Sequence, residues 1–412
     1  MPEFLRLVSP ADALNRLLSH LPSERRIEEE LVPTVEALGR VLAAPIAAPH
    51  PLPAFPRSTV DGYAVRAADT HGASPSLPAY LKLAGEVPMG AAPGLRLAPG
   101  QAALVHTGGM IPEAADAVVM LEDAQSPRPG EIEVLKPSAS GQNVIALGED
   151  VGQGEIVLDS GAPLRPQEIG GLMALGVLEV RVARRPRVGI LSSGDEVVDP
   201  SVEPGPAQVR DVNSYALSAL VREAGGEPVR HGIVPDQIEM LQSAARKAWA
   251  ESDLVVITAG SSASARDLTA EAVRSLGSPG VLVHGVAIRP GKPTILAVAG
   301  DVPVIGLPGN PVSALVIARL FVVPVIRRLL GVRAPALAAR LTARLTANVA
   351  SEAGREDYVP VRLIVTPEGL AAEPVYGRSN LIFTLVRADG LVRIPPETTG
   401  LAAGSPVEVT PF

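Results

Sequence analysis

The stretch from Arg187 to Leu330 alternates runs of β-branched and aliphatic residues with tight turns rich in Gly, Ser, Asp or Lys. RVGIL leads into SSGDE, DLVVIT into AGSSASARD, VLVHGVAI into RPGKP, and VPVIGL into PGNP. Helical patterns lie between these runs, and the alternation predicts a doubly wound α/β domain. In a parallel sheet, ligands bind outside the carboxyl ends of the strands. The polar residues of the stretch gather at those ends, so its turns are the first candidates for a site.

The flanking chain reads differently. At 412 residues the protein has room for two to four domains, at about 100 to 200 residues each. Ser9-Pro10 followed by Leu14, Leu17, Leu18 and Leu21 predicts a capped helix near the start. From His50 to about Ala146, Pro and Gly punctuate short runs such as AYLKLAG, AALVHTG and DAVVMLE, which predicts a small β-rich domain. Gly148 to Arg185 carries Gly-rich turns, a short strand (IVLD) and a helix from Pro166 to Leu175 that stops at Gly176, with RRPR as a boundary. Within the α/β stretch, Asn213 is placed to cap a helix, Asp236 to Glu239 resembles a capping box, and Asn310-Pro311 starts the last helix. From about Ala334, YVPVRLIV, LVRIP and PVEV predict a compact β domain.

Composition narrows the chemistry. A net charge of −8 supplies no basic patch for nucleic acid. A small polyanion would instead need local Lys or Arg, backbone N–H groups or a divalent cation. The absence of cysteine excludes disulfides, thiolate metal ligands and cysteine nucleophiles. The histidines show no HExxH spacing. The start of the chain does not have the form of a signal peptide, and the apolar stretch from Val312 to Ile326 contains Arg319 and Pro324 and is short for a bilayer span. A cytoplasmic protein without membrane partners is the expectation.

Each candidate turn has an ordinary structural use beside its chemical one. Asp195-Glu196, after Ser193-Gly194, can simply be solvated, or can offer carboxylates to Mg²⁺ or acceptors to a heterocycle. The loop Thr258 to Asp267 has the small residues and hydroxyls of a phosphate cradle but no Walker spacing, and Asp267 could be a helix cap. Arg289 and Lys292 flank a Pro-Gly turn, where neighbouring like charges call for an anion or a carboxylate between them. Gly306 to Pro311 is first a strand-to-helix turn. Asp61-Gly62 looks like a hairpin turn, and Thr107 and Asp150 sit in ordinary turns.

Taken together these segments resemble the molybdopterin molybdenumtransferase family, the MoeA-type enzymes related to the gephyrin and plant Cnx1 E domains. STVDGYAV, HTGGMIPEAADAVVMLED, GQNVIALGEDV, GILSSGDEV, TAGSSASARD, RPGKPTI, GLPGNPVSA and RADGLVRIP occur in the family's order across nearly the whole chain. The resemblance implies an α/β multidomain fold. Its parts would be an elongated discontinuous domain (1–50 and 147–185), a β-rich domain (51–146), an α/β molybdopterin-binding domain (186–332) and a C-terminal β-barrel-like domain (333–412). It also implies a homodimer whose site lies between the α/β domain of one subunit and the β-rich region of the other.

The implied reaction consumes adenylylated molybdopterin and molybdate and yields molybdenum cofactor and AMP with Mg²⁺. By the same resemblance, Asp61, Asp150, Glu196 and Asp267 are metal-organising carboxylates, with Thr107 on the partner-side wall and Lys292 in the catalytic set. Ser193, Gly194, Asp195, Gly260, Ser261, Ser262, Ser264, Arg266, Arg289, Pro308, Asn310, Arg355 and Ser379 would hold the pterin nucleotide or oxyanion. Two departures stand out: Gly260-Ser-Ser-Ala-Ser-Ala265 replaces the commoner Gly-Gly-Val-Ser-Val-Gly, and Arg289 stands where Lys is common. A molybdopterin adenylyltransferase and a non-catalytic dimeric pterin-binding scaffold remain alternatives. The adenylyltransferase of the preceding step and recipient molybdoenzymes are the implied protein partners.

Overall fold

The strand Arg187–Ser193 has its first residue exposed and every later one buried, and Leu254–Thr258 is buried throughout. In the computed structural model, which describes residues 7–22, 28–259, 263–333 and 339–412, both lie inside one mixed sheet. The side chains of 263–267 fall outside that description.

The sheet order is Glu227–Val234, Arg187–Ser193, Leu254–Thr258, Val302–Leu307, Ile295–Ala299, Pro279–His284. Ile295–Ala299 runs antiparallel to both its neighbours, and the other pairings are parallel. Successive side chains alternate between the two faces. Val188, Ile190, Leu254 and Val256 therefore pack beneath helices 213–223 and 311–329, while Leu191, Val255 and Ile257 pack beneath helix 238–251.

Two details depart from the sequence reading, and a third lay beyond it. VLVHGVAI is not one strand. It ends at His284, and Ile288-Arg289 leaves the α/β sheet to pair in parallel with Glu356-Asp357 of the C-terminal domain. The antiparallel Ile295–Ala299 and the edge strand Glu227–Val234 complete a sheet for which the four apolar runs supplied only part. Finally, the first helix, Pro10–Ser19, capped by Ser9 Oγ on Asp12 N at 3.1 Å, buries Ala13 and Leu17 in the α/β core. Its apolar stripe needs a partner surface, and the sheet provides it.

Strand Glu29–Pro33 pairs antiparallel with Glu179–Ala183, joining segments far apart in sequence around Leu42, Leu164, Leu172 and Val182. The β-rich sheet is ordered Ala117–Met120, Gly62–Val65, Gln101–Val105, Ala79–Glu86, Glu131–Val134, Ala124–Arg128. Near the C-terminus, Glu356–Thr366 pairs with both Gly369–Pro374 and Gly390–Ile394, which closes a barrel through Leu341–Leu345 and Pro406–Pro411. Among the described residues no helix is long and apolar enough to cross a membrane.

Candidate functional site

At the carboxyl ends of the central strands the polar side chains are tied to one another. Register sets Ser192 beside Thr258. Thr258 Oγ1 donates to Ser192 Oγ at 3.3 Å, and Ser192 Oγ donates to Asp211 at 2.9 Å. Asp211 is 6% exposed and also accepts from Ser214 N at 3.0 Å, so this carboxylate holds the first turn of helix 213–223. Asn213, expected to cap that helix, instead donates its Nδ2 to Gly309 O at 2.7 Å and steadies the Pro308-Gly-Asn turn. The expected capping box at Asp236 is likewise absent: Asp236 accepts from Ser193 Oγ, and its own amide donates to Asp195 at 3.1 Å. Glu196 is half-buried against Gly194, where an added Cβ would come within 2.8 Å of Glu196 Oε2.

A second group forms where the α/β and C-terminal domains meet. Pairing of Ile288-Arg289 with Glu356-Asp357 draws the Arg289 to Lys292 turn against the barrel, leaving a cleft of about 1110 Å³. Arg289, Lys292, Pro308 and Asn310 line one wall, and Arg355 and Ser379 the other. Asp357, which the sequence reading did not single out, is 3% exposed at its base. It accepts from Arg355 Nε at 2.9 Å, and Arg289 Nη1 lies 3.7 Å away. A carboxylate therefore stands between two cations, but these are Arg289 and Arg355 and not Arg289 and Lys292, and it comes from a strand 68 positions downstream of Arg289.

Beside Asp357, Glu356 accepts two bonds from Arg393 at 2.7 and 2.8 Å and one from Tyr358 Oη at 3.0 Å. Arg393 above all holds the Glu356 carboxyl below its ordinary range. Burial first, then the Glu356 charge, pushes the Tyr358 phenol up, so this cleft-lining group stays neutral.

Asn310 begins helix 311–317 as expected, yet its side chain makes no cap. Its Nδ2 donates across the cleft to Ser379 Oγ at 3.0 Å, and Val312 N donates to Ser379 O at 3.1 Å. The Ser379 hydroxyl proton is thereby left to donate elsewhere. Replacing Asn310 with alanine is expected to lower stability by about 0.5–1.5 kcal/mol, the net worth of one neutral hydrogen bond; equilibrium denaturation of the two proteins checks it.

In the β-rich domain, antiparallel register sets Gly62 opposite Val105 and carries Asp61 next to the residues that follow. Asp61 Oδ1 accepts from Thr107 N at 2.8 Å and Thr107 Oγ1 at 3.2 Å, with His106 Nδ1 at 3.8 Å and Glu86 bonded to His106 at 2.9 Å. The Thr107 amide, then its hydroxyl, holds the Asp61 carboxyl below the usual aspartate value. The two strands flanking Asp61 have different partners, so the expected Asp-Gly hairpin is not formed. Asp150 is exposed in a turn whose amide donates to Leu52 O at 3.0 Å.

Asp61, Thr107 and Asp150 do not line the interdomain cleft of their own chain, nor do Ser193, Gly194, Asp195 and Glu196. Gly260, Ser261 and Ser262, and the side chains of Ser264, Arg266 and Asp267, lie outside the described residues. Among the described residues, no three His, Cys, Asp or Glu side chains are grouped to hold a metal ion.

Comparison with known proteins places this architecture. The MoeA N-terminal region (domain I and II) matches residues 8–176, a probable molybdopterin binding domain matches 189–328, and the MoeA C-terminal region (domain IV) matches 342–412. The chain belongs to the MoeA family. It is an enzyme of molybdenum cofactor biosynthesis. A putative molybdopterin biosynthesis protein of Methanocaldococcus jannaschii is 36% identical over 402 residues, 96% of this chain and 94% of the relative. Molybdopterin molybdenumtransferase 2 of Mycobacterium tuberculosis is 34% identical over 384 residues, covering 92% of this chain and 94% of its own length. A crystal structure of a molybdopterin biosynthesis MoeA protein from Pyrococcus horikoshii aligns at a TM-score of 0.85 and 32% identity, covering 99% of this chain and 100% of the other. The three matched regions together run from residue 8 to residue 412. The cleft seen here lies between the second and third of them.

Proposed function

We propose that this MoeA family member is a molybdopterin molybdenumtransferase that takes molybdate and adenylylated molybdopterin and releases AMP. The observation that carries the proposal is electrostatic. A chain of net charge −8 places four cationic side chains, Arg289, Lys292, Arg355 and Arg378, against two carboxylates, Glu352 and Asp357, around one cleft. Cleaving a phosphoanhydride calls for charge neutralisation and positioning more than for a protein nucleophile, and this cleft supplies the former. The metal's sulfur ligands would come from the pterin, so a chain without cysteine can perform the insertion.

In this reading, Arg289 and Lys292 bind oxyanion or phosphate oxygens from the α/β wall. Arg355, aligned by Asp357, binds from the barrel wall, and Ser379 donates its free hydroxyl proton. Magnesium has no group of three described carboxylates within one chain to hold it.

The proposal extends to a homodimer in which Asp61 and Thr107 of one copy complete the cleft of the other. Two observations support this. Neither residue lines its own cleft, and Leu31, Val35, Leu38 and Leu178 are 54, 62, 59 and 65% exposed around the paired strands 29–33 and 179–183. Such apolar exposure marks an interaction surface. Incubating purified protein with adenylylated molybdopterin, Mg²⁺ and molybdate tests the activity. AMP release coupled to reconstitution of a cofactor-free molybdoenzyme is the expected result, and pyrophosphate release from ATP in its place would make the protein an adenylyltransferase.

A further inference from the structure

The cations of the cleft are not equivalent. Arg289 and Arg355 share the buried Asp357, and Arg355 also reaches Glu352 at 2.7 Å. Lys292 and Arg378 form no ion pair with any described residue, although both line the cleft. Arg378 belongs to none of the candidate turns, and its neighbour explains why it is well placed. Ser379 is fastened to the opposite wall through its carbonyl by Val312 N at 3.1 Å and through its hydroxyl by Asn310 Nδ2 at 3.0 Å. The backbone carrying Arg378 is thus anchored at the seam between the domains, while its side chain is exposed and forms no ion pair among the described residues.

We infer that Arg378 is an anion-binding residue that acts with Lys292 from the facing wall on a tetrahedral oxyanion. An uncompensated cation in a cleft gains most when an anion enters, because no existing ion pair has to be broken first. The division of labour is also chemical. A guanidinium presents a planar fork to two oxygens, whereas an ammonium acts as a point charge. One fork and one point charge on opposite walls can grip a single tetrahedral group. That group is either the free metal oxyanion or the phosphate of the nucleotide. The inference rests on the oxyanion chemistry proposed above and adds a residue and a ligand contact to it.

Calorimetric titration of the full-length protein with molybdate alone, and separately with AMP alone, tests it. The comparison uses Arg378→Gln, Arg378→Lys and, as a control, Arg387→Gln, an exposed arginine that does not line the cleft. Arg378→Gln is expected to weaken one of the two ligands about tenfold or more, as loss of a hydrogen bond to a charged group does. Arg378→Lys should recover part of that loss, and Arg387→Gln should bind as the unaltered chain does. The affected ligand identifies the group that is gripped. Binding of both ligands by Arg378→Gln at unaltered strength, a loss no greater than in the control, or no binding of either ligand by the unaltered chain would overturn the inference. The outcomes separate it from the transferase reading. Normal AMP release with Arg378→Gln binding unchanged removes Arg378 alone, whereas Arg378-dependent binding without turnover removes the transferase and leaves the anion site.

Discussion

Alanine at Gly291 is expected to destabilise the protein by about 2–4 kcal/mol and to disable the cleft at the same time. Gly291 has φ +115°, a conformation that side chains with a Cβ rarely adopt. An added Cβ would also lie 2.3 Å from Ile317 Cδ1. Ile317 is fully buried in the α/β core, so moving its side chain aside would disturb the close packing around it. The strain would displace the turn that carries Arg289 and Lys292, and anion binding should fall with stability. Gly72→Ala provides the comparison: it has φ +82° but open space around the new Cβ. Thermal and chemical denaturation of both variants distinguishes conformational strain from collision. A loss at Gly291 no larger than that at Gly72 would show that Ile317 does not confine the turn.

The second large effect is on turnover. Asp61→Asn is expected to reduce AMP release about 10²-fold, the usual scale for removing one preorganised charged or polar group from a reacting site. The fold should survive, because the Asp61 side chain is 58% exposed and an asparagine oxygen can still accept from Thr107 N. The substitution thus removes charge and little else. Because Thr107 holds the Asp61 carboxyl below its usual value, its charge persists into more acidic solution than an ordinary aspartate's. Any stability this linkage contributes is present above the unfolded-state value and is lost as pH falls through the lower folded one. The acid limb of the rate profile due to Asp61 should accordingly lie below the normal aspartate range. If the site is shared between copies, mixing Asp61→Asn with Arg289→Gln should restore activity that neither variant has alone. A near-normal rate for Asp61→Asn would remove the residue from the reaction.

How much of this was legible in the sequence depends on how local the cause is. The buried strands 187–193, 254–258 and 302–307 were visible as apolar runs, and helix 10–19 through Ser9, Pro10 and the spacing of its leucines. The family was legible from motif order, and it pointed to Arg289, Lys292, Pro308, Asn310, Arg355 and Ser379, which line one cleft. The uses of particular polar side chains were not legible. Asn213, Asp236 and Asn310 all satisfy local capping patterns, yet each bonds a residue distant in sequence. A cap is a short-range alternative that any stronger long-range partner can displace.

The sequence by itself therefore determined the periodicities, the turn chemistry and the family, because these rest on neighbours a few residues apart and on the order of motifs. Only the tertiary structure decided that Ile288-Arg289 would leave its sheet for the barrel and that Asp357 would stand between Arg289 and Arg355. It alone left Lys292 and Arg378 without counter-ions among the described residues. Those outcomes depend on strand pairing between separate domains. Charge compensation, unlike hydrophobic periodicity, is set by which side chains meet in space and not by their spacing along the chain.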